Sequence, residues 1–424
     1  MAEGFVIAAP RSGSGKTLLT LGLVAALRAL GHRVAPAKVG PDYIDAAILT
    51  RVAGRPALNL DPWAMGAEQL RGLAANADGE LLVVEGVMGL FDGAMDGTGS
   101  TGDLAATLGL PVVMVVDAEK QAQSVAPLVA GFVHWRPDVR VTGIILNRVS
   151  TTRHETMLRT ALAATDIPVL GAMPRRESLT LPERHLGLVL PGEVAGFAEV
   201  VSAAAQAVAE YIDLDALLAL ACPLAAAPPV TPLPPLGQRI AIARDDAFAF
   251  LYEHLIAGWR AQGAELTFFS PLADEAPAAD ADAIYLPGGY PELHGSRLAA
   301  ARTFKSGLIA ASDRGALIYG ECGGYMVLGE SLIDKAGEAH AMAGLLPLVT
   351  RIDRPRRTLG YRHLAHAGAL PWPTQLRGHE FHYSSGASTG LPPLFAATDA
   401  GGRALEPMGS VSGRVMGSYA HVIA

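Results

Sequence analysis

Two stretches near opposite ends of the chain carry residue types that do chemistry. The first is Ala9-Pro10-Arg11-Ser12-Gly13-Ser14-Gly15-Lys16-Thr17, set between an apolar β-type run and an apolar helical run. Small residues at Ser12, Gly13, Ser14 and Gly15 let backbone N–H groups turn inward around phosphate oxygens. Lys16 can reach the β- and γ-phosphates, Thr17 can offer its hydroxyl to Mg²⁺, and the helix N-terminus adds the positive end of its dipole. Pro10 stands where the usual phosphate-loop pattern begins with Gly. A plain Gly/Ser turn before a helix is the blander reading, and the strand–loop–helix context argues against it. ATP and Mg²⁺ are therefore the expected cofactors.

A magnesium–nucleotide site also needs carboxylates, because hard cations take oxygen ligands. Glu85 closes the apolar run Leu81-Leu82-Val83-Val84, and Asp42 and Asp45 follow Lys38-Val39-Gly40-Pro41. Carboxyl ends of parallel strands are where ligands bind in such sheets. Thr17, Asp42 and Glu85 are the metal candidates, although a turn or cap role suits each acid taken alone. Asp92, Asp96 and Asp117 carry no assignment.

The second stretch is Gly320-Glu321-Cys322-Gly323-Gly324, after the apolar run Ala316-Leu317-Ile318-Tyr319. Glycines relieve a tight strand-to-helix turn, and a helix N-terminus favours the thiolate that opens an amide through a thioester. The commonest fate of a cysteine is inert burial; the Gly-flanked turn favours a nucleophile. An oxyanion hole needs backbone donors, and Gly323 with Gly288 or Gly289, in Leu286-Pro287-Gly288-Gly289-Tyr290-Pro291-Glu292, can supply them. Three histidines compete as the base, His379, His382 and His421, and spacing alone ranks them equally.

These groups need elements to hold them. The first half alternates β-rich runs (5–9, 33–39, 81–85, 111–117, 141–147, 168–173) with helical segments such as 18–30 and 121–133, the rhythm of βαβ units in a mostly parallel sheet. Prolines 223, 228, 229, 232, 234 and 235 mark a linker. The α/β rhythm then restarts, with strands at 239–243, 265–269, 283–286 and 316–319 and a helix at 248–262. The predicted organisation is an ATP-binding domain over 1–221, a Pro-rich linker over 222–237 and a second α/β domain over 238–424, which suits a chain of 424 residues.

Only 17% of residues are charged, half are hydrophobic, and the formal net charge is −8. That balance fits a well-buried globular protein and argues against nonspecific nucleic-acid binding by the bulk surface. Two distant cysteines predict neither a disulfide framework nor a C-x-x-C metal pair. No apolar run is long enough to cross a membrane, and the first apolar run is too short for a signal segment, so the expected location is the cytoplasm.

Read together, the two halves resemble the cobyrinate or hydrogenobyrinate a,c-diamide synthases of cobalamin biosynthesis. The resemblance spans essentially the whole chain. It is carried by the loop at 9–17, Lys38-Val39-Gly40-Pro41-Asp42-Tyr43-Ile44-Asp45, Leu58-Asn59-Leu60-Asp61-Pro62-Trp63 and Glu85-Gly86-Val87-Met88-Gly89-Leu90-Phe91-Asp92-Gly93. In the second half it rests on the 286–292 loop, Gly320-Glu321-Cys322-Gly323-Gly324-Tyr325-Met326 and Gly378-His379-Glu380-Phe381-His382-Tyr383-Ser384.

The resemblance implies a dethiobiotin-synthetase-like P-loop NTPase domain joined to a flavodoxin-like class I glutamine amidotransferase domain. It implies amidation of the a and c acetate side chains of a corrinoid polycarboxylate, with L-glutamine as nitrogen donor. It selects His421, in Ser418-Tyr419-Ala420-His421, as the catalytic histidine, makes Asn147 a candidate adenine contact, and puts Lys38, Tyr43 and Asp45 at the substrate. Ile423 stands where many class I glutaminases carry a glutamate, so the expectation is a Cys–His pair without the usual carboxylate, and a sluggish glutaminase. The basic run Arg351-Ile352-Asp353-Arg354-Pro355-Arg356-Arg357, with Arg362 nearby, is a candidate carboxylate-binding surface. A cobyric acid synthase-like enzyme and a noncatalytic partition-type nucleotide switch are the alternative readings, and a homodimer is kept open.

Overall fold

The structure is a computed structural model that describes residues 2–176, 183–184, 187–188, 196–228, 230, 233–386 and 390–424. The chain divides into two compact units, Met1–Val230 and Thr231–Ala424.

In the first unit, elements run β1 (Glu3–Ala8), α1 (Lys16–Ala29), β2 (Val34–Val39), α2 (Tyr43–Ala53), β3 (Leu58–Leu60), α3 (Ala67–Ala75), β4 (Leu81–Glu85), α4 (Thr101–Leu108), β5 (Val112–Asp117), α5 (Val125–Trp135), β6 (Val141–Val149), α6 (Thr152–Leu162) and β7 (Val169–Pro174). A short pairing of β8 (Glu183–Arg184) with β9 (Gly187–Leu188) precedes α7 (Phe197–Tyr211), α8 (Leu214–Ala219) and β10 (Cys222–Pro223). The sheet order is β3-β2-β4-β1-β5-β6-β7, all parallel, with β10 antiparallel on β1. Every residue of β2, β4 and β5 is buried, as a parallel sheet covered on both faces requires.

Helix α1 packs on this sheet and against α7, and Gly22 marks their closest approach. A Cβ there would stand 2.9 Å from the Ala204 carbonyl oxygen and 2.9 Å from Val208 Cγ2.

In the second unit, β11 (Arg239–Ala243), α9 (Glu253–Ala261), β12 (Glu265–Phe269), β13 (Ala283–Leu286), α10 (Gly295–Ala300), α11 (Arg302–Asp313), β14 (Leu317–Glu321) and α12 (Gly323–Leu328) rebuild the α/β pattern. Short strands follow: β15 (Ser331–Ile333), β16 (Ala339–Ala341), β17 (Val349–Arg351), β18 (Thr358–Ala365), β19 (Gln375–His382), β20 (Ala396–Asp399), β21 (Ser410–Ser412), β22 (Val415–Ser418) and β23 (Ala420–Val422). The main sheet runs β12-β11-β13-β14-β22-β21, parallel except for β21. An antiparallel sheet, β20-β18-β19-β23, branches from it where the chain passes directly from β22 to β23.

Three expected boundaries move, each for a physical reason. The helix expected over 121–133 begins at Val125, which leaves Pro127 in the first turn, where a missing N–H costs nothing. The helix expected from Phe248 begins at Glu253, because the Phe250 N–H donates to the Gly288 carbonyl at 3.0 Å instead. The division between units falls inside the expected 222–237 linker, but that segment starts as structure: Cys222 and Pro223 pair with β1, and the Leu224 N–H donates to the Ala2 carbonyl at 2.9 Å.

Gly22→Val should strain the α1–α7 contact through backbone as well as side chain. We expect a loss of roughly 1–3 kcal/mol in the first unit's stability, read as a lower urea midpoint; an unchanged midpoint would refute the packing argument.

Candidate active sites

In the first unit the 9–15 loop leaves β1 and enters α1 at Lys16, with Gly15 capping the helix in the left-handed region (φ 85°). Only glycine fits there, since a Cβ would collide with the Asn147 amide. The Ser14 hydroxyl donates to the Arg11 carbonyl (2.9 Å) and shapes the turn. Ser12 and Gly13 are exposed at its tip.

Strand register brings the charged groups together. Ile7 pairs with Glu85, and Glu85 pairs with Lys38, so the ends of β1, β4 and β2 lie side by side. The Thr17 hydroxyl donates to Glu85 Oε1 (2.6 Å), and Lys38 Nζ lies 2.9 Å from the same oxygen and 2.5 Å from Asp45 Oδ2. Glu85 is fully buried, and burial raises its pKa despite the partnership with Lys38. Burial alone would lower Lys38; Asp45 and Glu85 overcome it and hold the ammonium well above the ordinary lysine range. Lys16 donates to the Met88 carbonyl at 2.7 Å, and burial, aided by the Lys38 charge, lowers its pKa.

Asp42 caps α2, its Oδ1 accepting from the Ile44 and Asp45 N–H groups at 2.9 and 3.0 Å. Burial, with the Asp45 charge, pushes its pKa up to about 6. Asn59 fastens this loop by donating to the Gly40 and Asp42 carbonyls. Tyr43 opens α2 and is buried.

The donor set fits magnesium. Glu85 Oε2 is buried with no hydrogen-bond partner among the described residues, and with the adjacent Thr17 hydroxyl it offers hard oxygen donors, while Asp42 caps α2 and Asp45 pairs with Lys38. Lys38, expected at the substrate, is 3% exposed with its ammonium committed to Glu85 and Asp45.

Asn147 lies at the loop, but its Nδ2 donates to the Ser14 carbonyl (2.8 Å), so this amide braces the loop. Arg148 donates to the Gly13 carbonyl and to Asp117, which also receives Arg11. Asp117, unassigned from sequence, thus ties both arginines to the loop. Asp92 and Asp96 accept local N–H groups in turns.

In the second unit β14 runs into Cys322, which has φ 48° and ψ −107° and is followed at once by α12. A non-glycine residue here is strained. The Cys322 N–H donating to the Ser418 carbonyl (2.8 Å) helps hold it. The Gly289 amide nitrogen would lie 3.1 Å from a Cβ on Gly323, so the two candidate oxyanion donors are neighbours. The His421 ring packs so closely on Gly288 that any side chain there would collide with it. Phe250 borders the same ring, 6.1 Å between centroids.

Burial pushes the Cys322 thiol up, and the Glu292, Glu380 and Glu321 carboxylates push the same way. Burial, with His379 and His382 adding, pulls His421 down to about 3. Both shifts favour the neutral form of each group.

The structure separates the three histidines. His382 has both ring nitrogens engaged, Nε2 with Glu380 Oε1 (2.8 Å) and Nδ1 with the Ser384 carbonyl and hydroxyl (each 3.0 Å), and it stacks on Tyr419 at 4.4 Å. His379 pairs in register with His421 and stacks edge-on to Tyr361. His421 alone of the three packs against the Gly288 loop. Arg362, expected in the basic surface, is 7% exposed and donates to Glu380 (2.8 Å), so it belongs to the interior; Arg351 pairs with Asp353, and Arg354, Arg356 and Arg357 are exposed.

The sequence leads to the expectation of a pair without the usual carboxylate. Ile423 is fully buried where the usual glutamate would stand, but Glu321 Oε2 lies 3.9 Å from His421 Nδ1. Sequence reasoning passed over this residue because it precedes the nucleophile, whereas the familiar carboxylate follows the histidine.

Among the described residues, no helix is long and apolar enough to cross a membrane.

His254, whose Nε2 donates to the Ile423 carbonyl (2.9 Å), fixes the strand beyond His421, and burial pulls its pKa from 6.5 down to about 4. The unfolded chain takes up this proton first, so the stability it contributes is full above pH 6.5 and lost as pH falls toward 4. His254→Gln should flatten the fall of the urea midpoint across that window; an unchanged slope would refute the assignment.

Residues 5–189 match the CobQ/CobB/MinD/ParA nucleotide binding domain, and residues 239–424 match the CobB/CobQ-like glutamine amidotransferase domain. A hydrogenobyrinate a,c-diamide synthase of Brucella abortus is 54% identical, covering 99% of this chain and 98% of its own. Proteins of the same name from Rhizobium meliloti and Rhodobacter capsulatus are 53% and 49% identical, each covering at least 99% of both chains. With the likeness running from end to end, the chain belongs to the hydrogenobyrinate a,c-diamide synthase family.

Proposed function

We propose that this chain amidates the a and c acetate carboxylates of a hydrogenobyrinate-type corrinoid, using ATP to activate each carboxylate and glutamine to supply the nitrogen. The observation that carries the reading is Cys322, a thiol at positive φ between a parallel strand and a helix, with the Gly289 and Gly323 backbones adjacent and the His421 ring against Gly288. Full-length likeness to proteins named for this reaction supports the substrate.

In the second unit the Cys322 sulfur attacks the glutamine amide carbon while its proton passes to His421. The Gly323 N–H, with Gly288 or Gly289, stabilises the oxyanion. His421 returns the proton to the departing nitrogen, ammonia leaves, and water hydrolyses the thioester to glutamate. Shifts toward the neutral thiol and imidazole suit this sequence, in which charge separates as sulfur attacks.

In the first unit the loop from Ser12 to Thr17 cradles the ATP phosphates, with Asn147 bracing it. Lys16 stabilises charge on the transferring γ-phosphoryl group, which passes to a substrate carboxylate. Ammonia displaces phosphate from the acyl phosphate and forms the amide. Thr17 and Glu85, with Asp42 close by, would hold magnesium, which would neutralise charge at the phosphate oxygens. Lys38 bridges Glu85 and Asp45 from within, and Tyr43 at the start of α2 borders the substrate. ATP and glutamine are cytoplasmic metabolites and both cysteines are free thiols, which suits a reducing compartment.

Cys322→Ala should lower glutamine-dependent amidation about 10³-fold or more while sparing amidation from added ammonium, followed by product mass. Loss of the ammonium reaction as well would refute the division of labour. Lys16→Ala should stop amidation from either nitrogen source, and survival of either would remove Lys16 from the phosphate site.

A further inference from the structure

We propose that Glu321, the residue immediately before the nucleophile, is the positioning carboxylate for His421, in place of the glutamate that Ile423 displaces. This inference rests on the Cys322–His421 reading above.

Glu321 is fully buried at the end of β14. Its Oε1 accepts from the Tyr319 hydroxyl (3.0 Å) and from the Val422 N–H (3.0 Å), and its Oε2 accepts from the Tyr285 hydroxyl (2.7 Å). Three donors converge on the group, and each hydrogen bond favours the ionised carboxylate. Burial pushes its pKa up to about 7, with those donors acting in the opposite direction. The Val422 contact matters for position, because Val422 follows His421 directly. One carboxylate thereby grips the strand that carries the imidazole and also faces the ring.

Glu321 Oε2 stands 3.9 Å from His421 Nδ1. That is ion-pair range once the imidazole is protonated, and catalytic contacts of this kind commonly tighten in the substrate complex. The chemistry follows from which nitrogen holds the proton. A carboxylate beside Nδ1 favours the Nδ1–H tautomer and leaves Nε2 as the acceptor for the Cys322 proton. When that proton moves to Nε2, the imidazolium forms next to an existing negative charge. The other titratable groups around the ring, His379 and His382 on β19, oppose that positive charge, so a compensating carboxylate has a specific task here. Its neighbours Tyr285 and Tyr319 stack at 6.0 Å and hold it in place.

Glu321→Gln keeps the shape and removes the charge. We expect kcat for glutamine hydrolysis to fall about 100-fold with KM for glutamine little changed, and ammonium-dependent amidation to persist as proof of folding. Independently, ¹⁵N-histidine NMR of the intact wild-type protein should show His421 protonated on Nδ1 and bare on Nε2. Wild-type kcat in Glu321→Gln, or an Nε2–H tautomer at His421 in the wild type, overturns the proposal. Where Glu321→Gln does not fold, the wild-type tautomer decides alone. Cys322→Ala separates the two levels: if it abolishes glutamine hydrolysis while Glu321→Gln leaves it intact, only the positioning role fails. Hydrolysis surviving in Cys322→Ala brings down the glutaminase reading itself.

Discussion

The register between β4 and its two parallel neighbours sets Ile7, Glu85 and Lys38 side by side at the carboxyl edge of the first sheet. Side chains alternate faces along a strand, so a slip of one residue would turn Glu85 away from Thr17 and Lys38. It would also leave a buried ammonium and a buried carboxylate without each other, an arrangement that costs several kcal/mol. Each charge is thus tolerable in the interior only because the register supplies its counterpart. The phosphate loop inherits its position from the same pairing, since it begins where β1 ends.

A parallel logic organises the second unit. Glu321 pairs with Ser418 between β14 and β22, and the next amide, Cys322 N–H, continues that pairing to the Ser418 carbonyl. This last bond is made with Cys322 already in the left-handed region, so the strand's hydrogen bonding helps carry the strain at the nucleophile. The chain then passes from β22 into β23, which joins a different sheet and turns His421 toward the Gly288 loop. Burial shifts both thiol and imidazole toward their neutral forms. The interior nevertheless contains charge, because Arg362 on β18 pairs with Glu380 on β19, whose other oxygen meets His382.

That internal ion network explains why the antiparallel sheet was not foreseen. Half-buried strands announce themselves by alternating apolar and polar residues. On β19 the inward positions are Leu376, Gly378, Glu380 and His382, and on β18 they include Arg362 beside Leu364. The burial alternates with period two while the hydropathy does not, so the pattern is absent from the sequence although the strands are regular. The late start of α9 has a similar origin: Phe250 is drawn out of a helical pattern by a backbone bond to Gly288.

The sequence by itself determined the local machines. The 9–17 loop and the Gly320–Gly324 turn are contiguous, and their chemistry follows from residue types whose roles are set by short-range backbone geometry. Most strands of both parallel sheets were legible too, because burial on both faces favours unbroken apolar runs, whereas the short β3 and β22 were not. Tertiary structure alone decided which distant groups meet. Lys38 and Glu85 are 47 residues apart, and Glu321 and Val422 are 101 apart. Spacing ranked His379, His382 and His421 alike, and family resemblance was needed to prefer the last. Their separation into an engaged imidazole, a register neighbour and one against the Gly288 loop required strand pairing across the chain. Pairings at such separations depend on which strands become neighbours, and no local propensity encodes that.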